Sequence, residues 1–266
     1  VVSEEIILLD GTSWDKSTLI EAMRDDDFYY GYLGKAAMSS SNLKKINDSP
    51  KEYERYVKFG EDGDTTALVM GNLIHTLLLE PHLQERFEPV ECASKAANIW
   101  KDAVAHHEGT GKKLLLRKDF DNCYYVADAL KKNSIVKDAL RDAEYELPAI
   151  SMLYGIPFRG KADIKKKDSP VIYDLKTTSN LSDFRSSAFK YSYAAQAYIY
   201  CTLFDVQFEN FKFIVIDKGN KDIGIFSMSE EFFERGRKLV ERGVDTYIKY
   251  FVNGEDLENY VVYGEL

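Results

Sequence analysis

At 266 residues the chain can bury a substantial core, and its 45% hydrophobic and 30% charged residues exclude both a disordered polypeptide and a membrane protein. No apolar run approaches the roughly 18 residues that a spanning helix needs, so a soluble chain is expected. A net charge of −9 excludes a uniformly basic surface, so a phosphate-backbone partner must meet basic residues gathered along one groove. Cys92, Cys123 and Cys201 are too scattered for a disulfide framework, a structural zinc or an iron-sulfur cluster. With no basic leader at the start, that usage predicts a reducing, cytoplasmic setting.

In chain order, Ile6 to Leu9 is a short apolar run, a helix is expected around Ser17 to Met23, and the acidic, tyrosine-rich stretch Asp25 to Tyr32 suggests no chemistry. Residues 1–35 read as an N-terminal extension and 36–266 as the main domain. In SSSNLKKINDSPKEYERYVKFG two short helices are expected, with N-caps among Ser39 to Ser41 and a break at Asp48-Ser49-Pro50. Thr65 to Glu80 carries Leu68, Gly71, His75 and Leu79 at helical spacing, and Pro81 closes it. Helices are expected over 94–107 and 117–143. The character then changes: 146–153 and 157–164 are β-type runs joined by Tyr154-Gly155-Ile156, and 170–175 is a third strand. A helix over 182–204 follows, then strands at 211–217 and 223–227, and a last helix from Ser229 to about Phe251. Lysine-rich groups stand at 165–167, 112–118 and 44–51, and each reads as a solvated face unless it lines a groove.

The densest chemical signal is GKADIKKKDSPVIYDLKTTSN. Asp163 ends one strand and Asp174-Leu175-Lys176 ends the next, so adjacent strands bring two carboxylates together. Asp174 and Lys176, two apart in a strand, point to one face. Paired carboxylates are the oxygen ligands that Mg²⁺ prefers, and a neighbouring lysine can orient an attacking water and offset charge on a phosphate. The set suits phosphodiester hydrolysis. A lone D-x-K is more often a surface ion pair. Here a buried-type run, Val171-Ile172-Tyr173, precedes it, Thr177 and Thr178 follow, and a long amphipathic helix comes next.

The succession G-K-A-D, D-L-K-T-T and Y-x-Y-x-x-Q-A-Y-x-Y resembles the PD-(D/E)XK nucleases, and within them the RecB-like and RecE-like (exonuclease VIII type) phage and prophage exonucleases. SSSNLKKINDSP, ALVMGNLIHTLLLEP and the region around Trp100 fit the RecE-like branch, so the resemblance covers roughly residues 36–250. It implies an α/β fold, a restriction-endonuclease-like core with a central mixed sheet flanked by helices and a helical N-terminal decoration. It implies that Asp163 and Asp174 hold a divalent metal, with the Leu175 carbonyl as a further ligand and Lys176 as the water-orienting lysine. Gln196 and Tyr200 match its Q-x-x-x-Y signature on one helix face, contacting DNA or bracing the site, with Tyr193 one turn earlier. An upstream acid is expected on the preceding strand, Glu146 in preference to Glu144. Ala162 stands where many superfamily members have proline, as is usual in the RecB-like branch.

The G-x-x-x-H pattern of Gly71 and His75 matches the same nucleases and makes His75 a metal ligand, with Glu80 supporting it. Gly71 is expected to allow close approach of the sheet or of DNA. A nitrogen ligand predicts that Mn²⁺ substitutes readily for Mg²⁺. The resemblance further implies 5′ to 3′ digestion of linear double-stranded DNA from a free end for recombination, a homo-oligomeric ring, and a single-strand annealing protein as partner. Two other functions fit the same fold: a Cas4-like or structure-specific nuclease, disfavoured by the scattered cysteines, and a catalytically silent DNA-binding homologue, disfavoured by the intact Asp163, Asp174 and Lys176.

Overall fold

The structure, a computed structural model, describes residues 4–60 and 63–262. A hairpin of β1 (Glu5–Ile7) and β2 (Ser13–Asp15) opens it, and Asp15 caps α1 (Lys16–Ala22) by accepting from the Thr18 N–H. A π-helical stretch, Asp27–Tyr32, runs into the single turn of α2 (Leu33–Ala36). Ser39 caps α3 (Ser40–Asp48), and Ser49 both ends α3 and caps α4 (Pro50–Phe59). Pro50 sits at the first helical position, where its missing N–H costs nothing. Thr65 caps α5 (Thr66–Leu79), which stops before Pro81 as expected.

The next region departs from expectation. β3 (Phe87–Val90) and β4 (Lys113–Leu116) pair in parallel on either side of α6 (Asn98–His106), a unit too short to show a strand period in the sequence. The helix expected over 117–143 is two, α7 (Arg117–Lys132) and α8 (Ser134–Leu140). Asn133 breaks it because its side chain accepts from the Ile135 and Val136 N–H groups and so starts a new helix. Ala143 already belongs to the sheet.

β5 (Ala143–Leu153) and β6 (Ile156–Lys166) form the expected hairpin, turning at Tyr154 and Gly155, both at positive φ. β7 (Ile172–Thr178) follows. The helix expected over 182–204 is also broken, into α9 (Phe184–Lys190) and α10 (Tyr193–Leu203), because Ser192 takes a left-handed conformation with φ of 57°. β8 (Phe211–Asp217) lies parallel to β7 and β9 (Ile223–Ser227) antiparallel to β8, before α11 (Glu230–Tyr247). The sheet order is β5-β6-β7-β8-β9, a mixed five-stranded sheet.

Alternation along β8 sets the layers. Phe211, Phe213 and Val215 enter a core shared with α3, α10 and α11, while Ile214 and Ile216 enter one shared with α5 and α7. Gly236 permits the closest helix approach, since a Cβ there would lie 2.1 Å from the Ala194 carbonyl of α10. The N-terminal extension packs Ile6, Leu19, Met23, Tyr29 and Leu33 with Ile150 of β5. No described helix is long and apolar enough to cross a membrane.

Candidate metal and catalytic site

The sheet opens where the motif lies. β6 and β7 pair at Lys165–Ile172 and Ile164–Tyr173, and the next step of that register sets Asp163 opposite Asp174. There the backbone ladder gives way to a side chain: Asp163 Oδ2 accepts from the Leu175 N–H at 2.6 Å. On the other side of β6, Tyr145–Ile164 and Leu147–Ala162 flank a position at which Glu146 faces Asp163. Glu146 has φ of 46°, a left-handed conformation rare outside glycine and found preferentially at functional sites.

His75 of α5 reaches the same place. Its Nε2 lies 2.8 Å from the Leu175 carbonyl oxygen, which can only accept, so Nε2 carries the proton. The ring is neutral, because burial, reinforced by the nearby Lys176 charge, lowers its pKa to about 4. Nδ1 is then a bare lone pair, 3.7 Å from Asp163 Oδ2. Ligand atoms of His75, Glu146 and Asp163 all lie within 4.8 Å of one another. Two ligands of one octahedral ion at ~2.1 Å stand about 3 to 4.2 Å apart, so this donor set needs only a small closure to hold one cation.

Asp174 is fully buried beneath α10. Gln196 Nε2 donates to its Oδ1 at 2.9 Å. Its Oδ2 is held 2.6 Å from the Lys176 ammonium in a buried ion pair. Lys176 in turn lies over the Tyr193 ring at 4.9 Å. Burial pushes both Asp163 and Asp174 up to about 6 against the pull of Lys176. Glu146 is pushed to about 9 by burial and then by the charges of Asp163 and Glu80. Burial opposes the Lys176 charge, but Asp174 and Asp163 outweigh it and hold its pKa above the ordinary value. Crowded, desolvated acids of this kind are poised to exchange protons for a cation.

The predicted residues therefore divide. His75, Glu146 and Asp163 form one donor cluster, and Asp174 stands beside it, held by Gln196 and Lys176. Glu80 caps the end of α5 and acts on Glu146 through its charge. Glu144 is exposed and lies opposite Lys165. Tyr200 is a core residue, its ring seated where a Gly160 Cβ would be only 2.7 Å away, and it does not face solvent. Gly71 is less demanding than expected, since a Cβ there would meet Thr177 Oγ1 at an ordinary 3.5 Å. Members of all three lysine-rich groups are engaged within the chain. Lys165 and Lys166 bind main-chain carbonyls, Arg117 pairs with Glu91, and Lys44 with Asp48.

Sequence reasoning missed the cluster around Asp26. Its carboxylate accepts from Lys161 at 2.6 Å and from Arg86 at 2.7 Å, and Lys161 lies over Tyr29 and Tyr30. Arg159 stacks on Tyr29 at 4.2 Å and donates to the Leu33 carbonyl. Arg159, Lys161 and Asp163 alternate along β6, so the signal was the period-two pattern inside R-G-K-A-D. The tyrosine-rich stretch read as chemically silent is a wall of the site.

Known structures resemble this fold. The crystal structure of a "Putative exonuclease" from Eubacterium rectale superposes with a TM-score of 0.66 at 15% identity, over 91% of this chain and 95% of that one. SSO0001 matches at 16% identity over 66% of this chain and 85% of its own, with a TM-score of 0.31, too distant to carry an argument. No curated protein matches the sequence. The family described as "PDDEXK-like domain of unknown function (DUF3799)" matches residues 39–256, which include the five-stranded sheet, His75, Glu146, Asp163, Asp174, Lys176 and Gln196, while Asp26 and Tyr29 precede it. With its mixed sheet and split β6–β7 motif, the chain belongs to this PDDEXK-like family.

Proposed function

We propose that this protein is a divalent-metal-dependent deoxyribonuclease that digests linear double-stranded DNA from a free end. The observation that carries the reading is the convergence of His75 Nδ1, Glu146 and Asp163 beside the buried Asp174–Lys176 ion pair. Neutral imidazole and carboxylate donors fit Mg²⁺ or Mn²⁺, with His75 favouring the latter. What a cation bound there supplies is stabilisation of the charge that develops on the scissile phosphate. The chain's own residues do the rest. Gln196 fixes the Asp174 carboxylate, Asp174 holds the Lys176 ammonium in place, and Lys176 orients the attacking water and balances phosphate charge. The Tyr193 ring limits the swing of that ammonium.

Exonucleolytic action, 5′ to 3′ direction and a role in recombination rest on the resemblance to RecE-like enzymes, and the name given to the Eubacterium rectale protein supports the first of these. A ring of several copies threaded by DNA, and an annealing protein that receives the exposed strand, belong to the same reading. The test is digestion of end-labelled linear duplex against closed circular DNA in Mg²⁺. Loss of the linear species with survival of the circle is expected. Equal loss of both overturns the exonuclease assignment, and survival of both overturns the nuclease.

A further inference from the structure

Beside the site, α9, β9 and α11 enclose a cavity of about 870 Å³ that the mechanism above does not use. Its floor and walls are aromatic: Phe184, Phe189, Phe213, Phe226 and Phe232. Its rim is basic, with Arg185, Arg235, Lys238 and Arg242 against Glu231 and Glu234. Of those two acids, Glu234 is already bound by Arg237 at 2.9 Å. In a chain of net charge −9, with members of its three lysine-rich sequence groups engaged elsewhere, this concentration of cations over phenylalanines stands out. A second cavity of about 530 Å³ shares Arg185 and Phe226 with it and reaches Asn180 to Ser182, the loop directly after the catalytic strand. Ring contacts link the floor to the site: Phe184 and Phe213 lie 6.0 and 5.8 Å from Tyr193, the ring under the Lys176 ammonium.

We infer that this trough is a binding groove for single-stranded DNA continuous with the nuclease site, an inference that rests on the nuclease reading. Phosphates pair with the rim while unstacked bases lie on the exposed Phe189 and the half-buried Phe226 and Phe232, which the buried Phe184 and Phe213 support from below. Stacking on aromatic side chains inside a positive groove is how single strands are held without sequence preference. Duplex DNA does not fit this chemistry, because its base faces are stacked inside the helix and only phosphates would reach the rim. Phe189 and Arg235 form the outermost contact, the guanidinium 4.8 Å above a ring that is 51% exposed. That pair offers a ready edge for the first base.

The test uses fluorescence anisotropy of a labelled thymidine oligomer of about 12 nucleotides, with EDTA present so that no hydrolysis occurs. Wild-type protein is expected to bind, the double variant R235E/K238E to weaken binding by about tenfold or more, and Phe189→Ala to weaken it severalfold. All three positions have exposed side chains, so the folded state, checked by circular dichroism, is retained. Unchanged affinity in R235E/K238E, or no binding by wild type, overturns the groove. So does a change in the oligomeric state of R235E/K238E on sizing, which assigns the face to contact between copies. The parent reading is separable. Mg²⁺-dependent digestion of short duplex by wild type reports the nuclease whether or not the groove binds.

Discussion

Nε2 of His75 stands 2.8 Å from the main-chain oxygen of Leu175 across a hundred residues of sequence, and this contact aims the bare Nδ1 at Asp163. His75→Ala should therefore weaken Mn²⁺ affinity by about ten- to a hundredfold in calorimetry and lower turnover with it. Mn²⁺ should support activity at least as well as Mg²⁺ at equal concentration. The loss of stability should be smaller than for Leu78→Ala, which empties a buried position of α5. A crystal structure with Mn²⁺ bound far from His75 would contradict the assignment.

Glu146 and Glu144 give a paired test, because both were candidates and only Glu146 faces Asp163. Glu146→Gln should reduce metal affinity and turnover by about tenfold or more, whereas Glu144→Gln should change neither. Equal effects from the two substitutions would remove Glu146 from the site.

Asp163 gives a stability prediction with a definite sign. Burial raises its folded-state pKa from 3.8 to about 6, so the folded protein holds a proton that the unfolded chain has lost across that window. The stabilisation is present below the unfolded value and is lost as pH rises through about 6, a difference on the order of 3 kcal/mol at most. Asp163→Asn keeps an acceptor for the Leu175 N–H without the charge. In EDTA it should melt above wild type at pH 8, with the gain shrinking toward pH 4. His75 titrates in the opposite sense, since its lowered pKa removes stability as pH falls from about 6.5 toward 4. Removing the Asp163 charge also relieves Glu146, which it raises, and so adds to the gain at pH 8 in the same sense. A gain that is larger at pH 4 than at pH 8 would show the charge to be stabilising.

Much of this was legible because the signals are local. The caps at Ser39, Ser49, Thr65 and Ser229 placed their helices, β-type runs bounded by turn residues placed β5 to β9, and two-residue alternation set Asp174 and Lys176 on one face. What failed depended on one residue or on distant partners. Asn133 and Ser192 each break a helix whose apolar period runs through the break. β3 and β4 become strands only by pairing across a long intervening segment. The role of residues 25–32 was hidden for the same reason: Asp26 matters because Lys161 and Arg86 reach it from elsewhere in the chain.

Lys176 separates catalysis from metal binding. Its ammonium pairs with Asp174 and is not a donor to a cation, so Lys176→Ala should lose about a hundredfold or more in turnover while calorimetry still shows metal binding. Loss of metal binding as well would make the lysine's role one of holding the site together.

The most direct test of the account is Mg²⁺-dependent hydrolysis of linear duplex by Asp174→Ala protein shown to be folded by its circular dichroism. Asp174 is buried at the one point where the donor cluster, Lys176 and Gln196 meet, so its removal takes away charge stabilisation that matters most in the transition state. The account predicts active wild-type protein, no activity in EDTA, and turnover in the variant at or below the limit of detection. Near-normal turnover by the folded variant would contradict it.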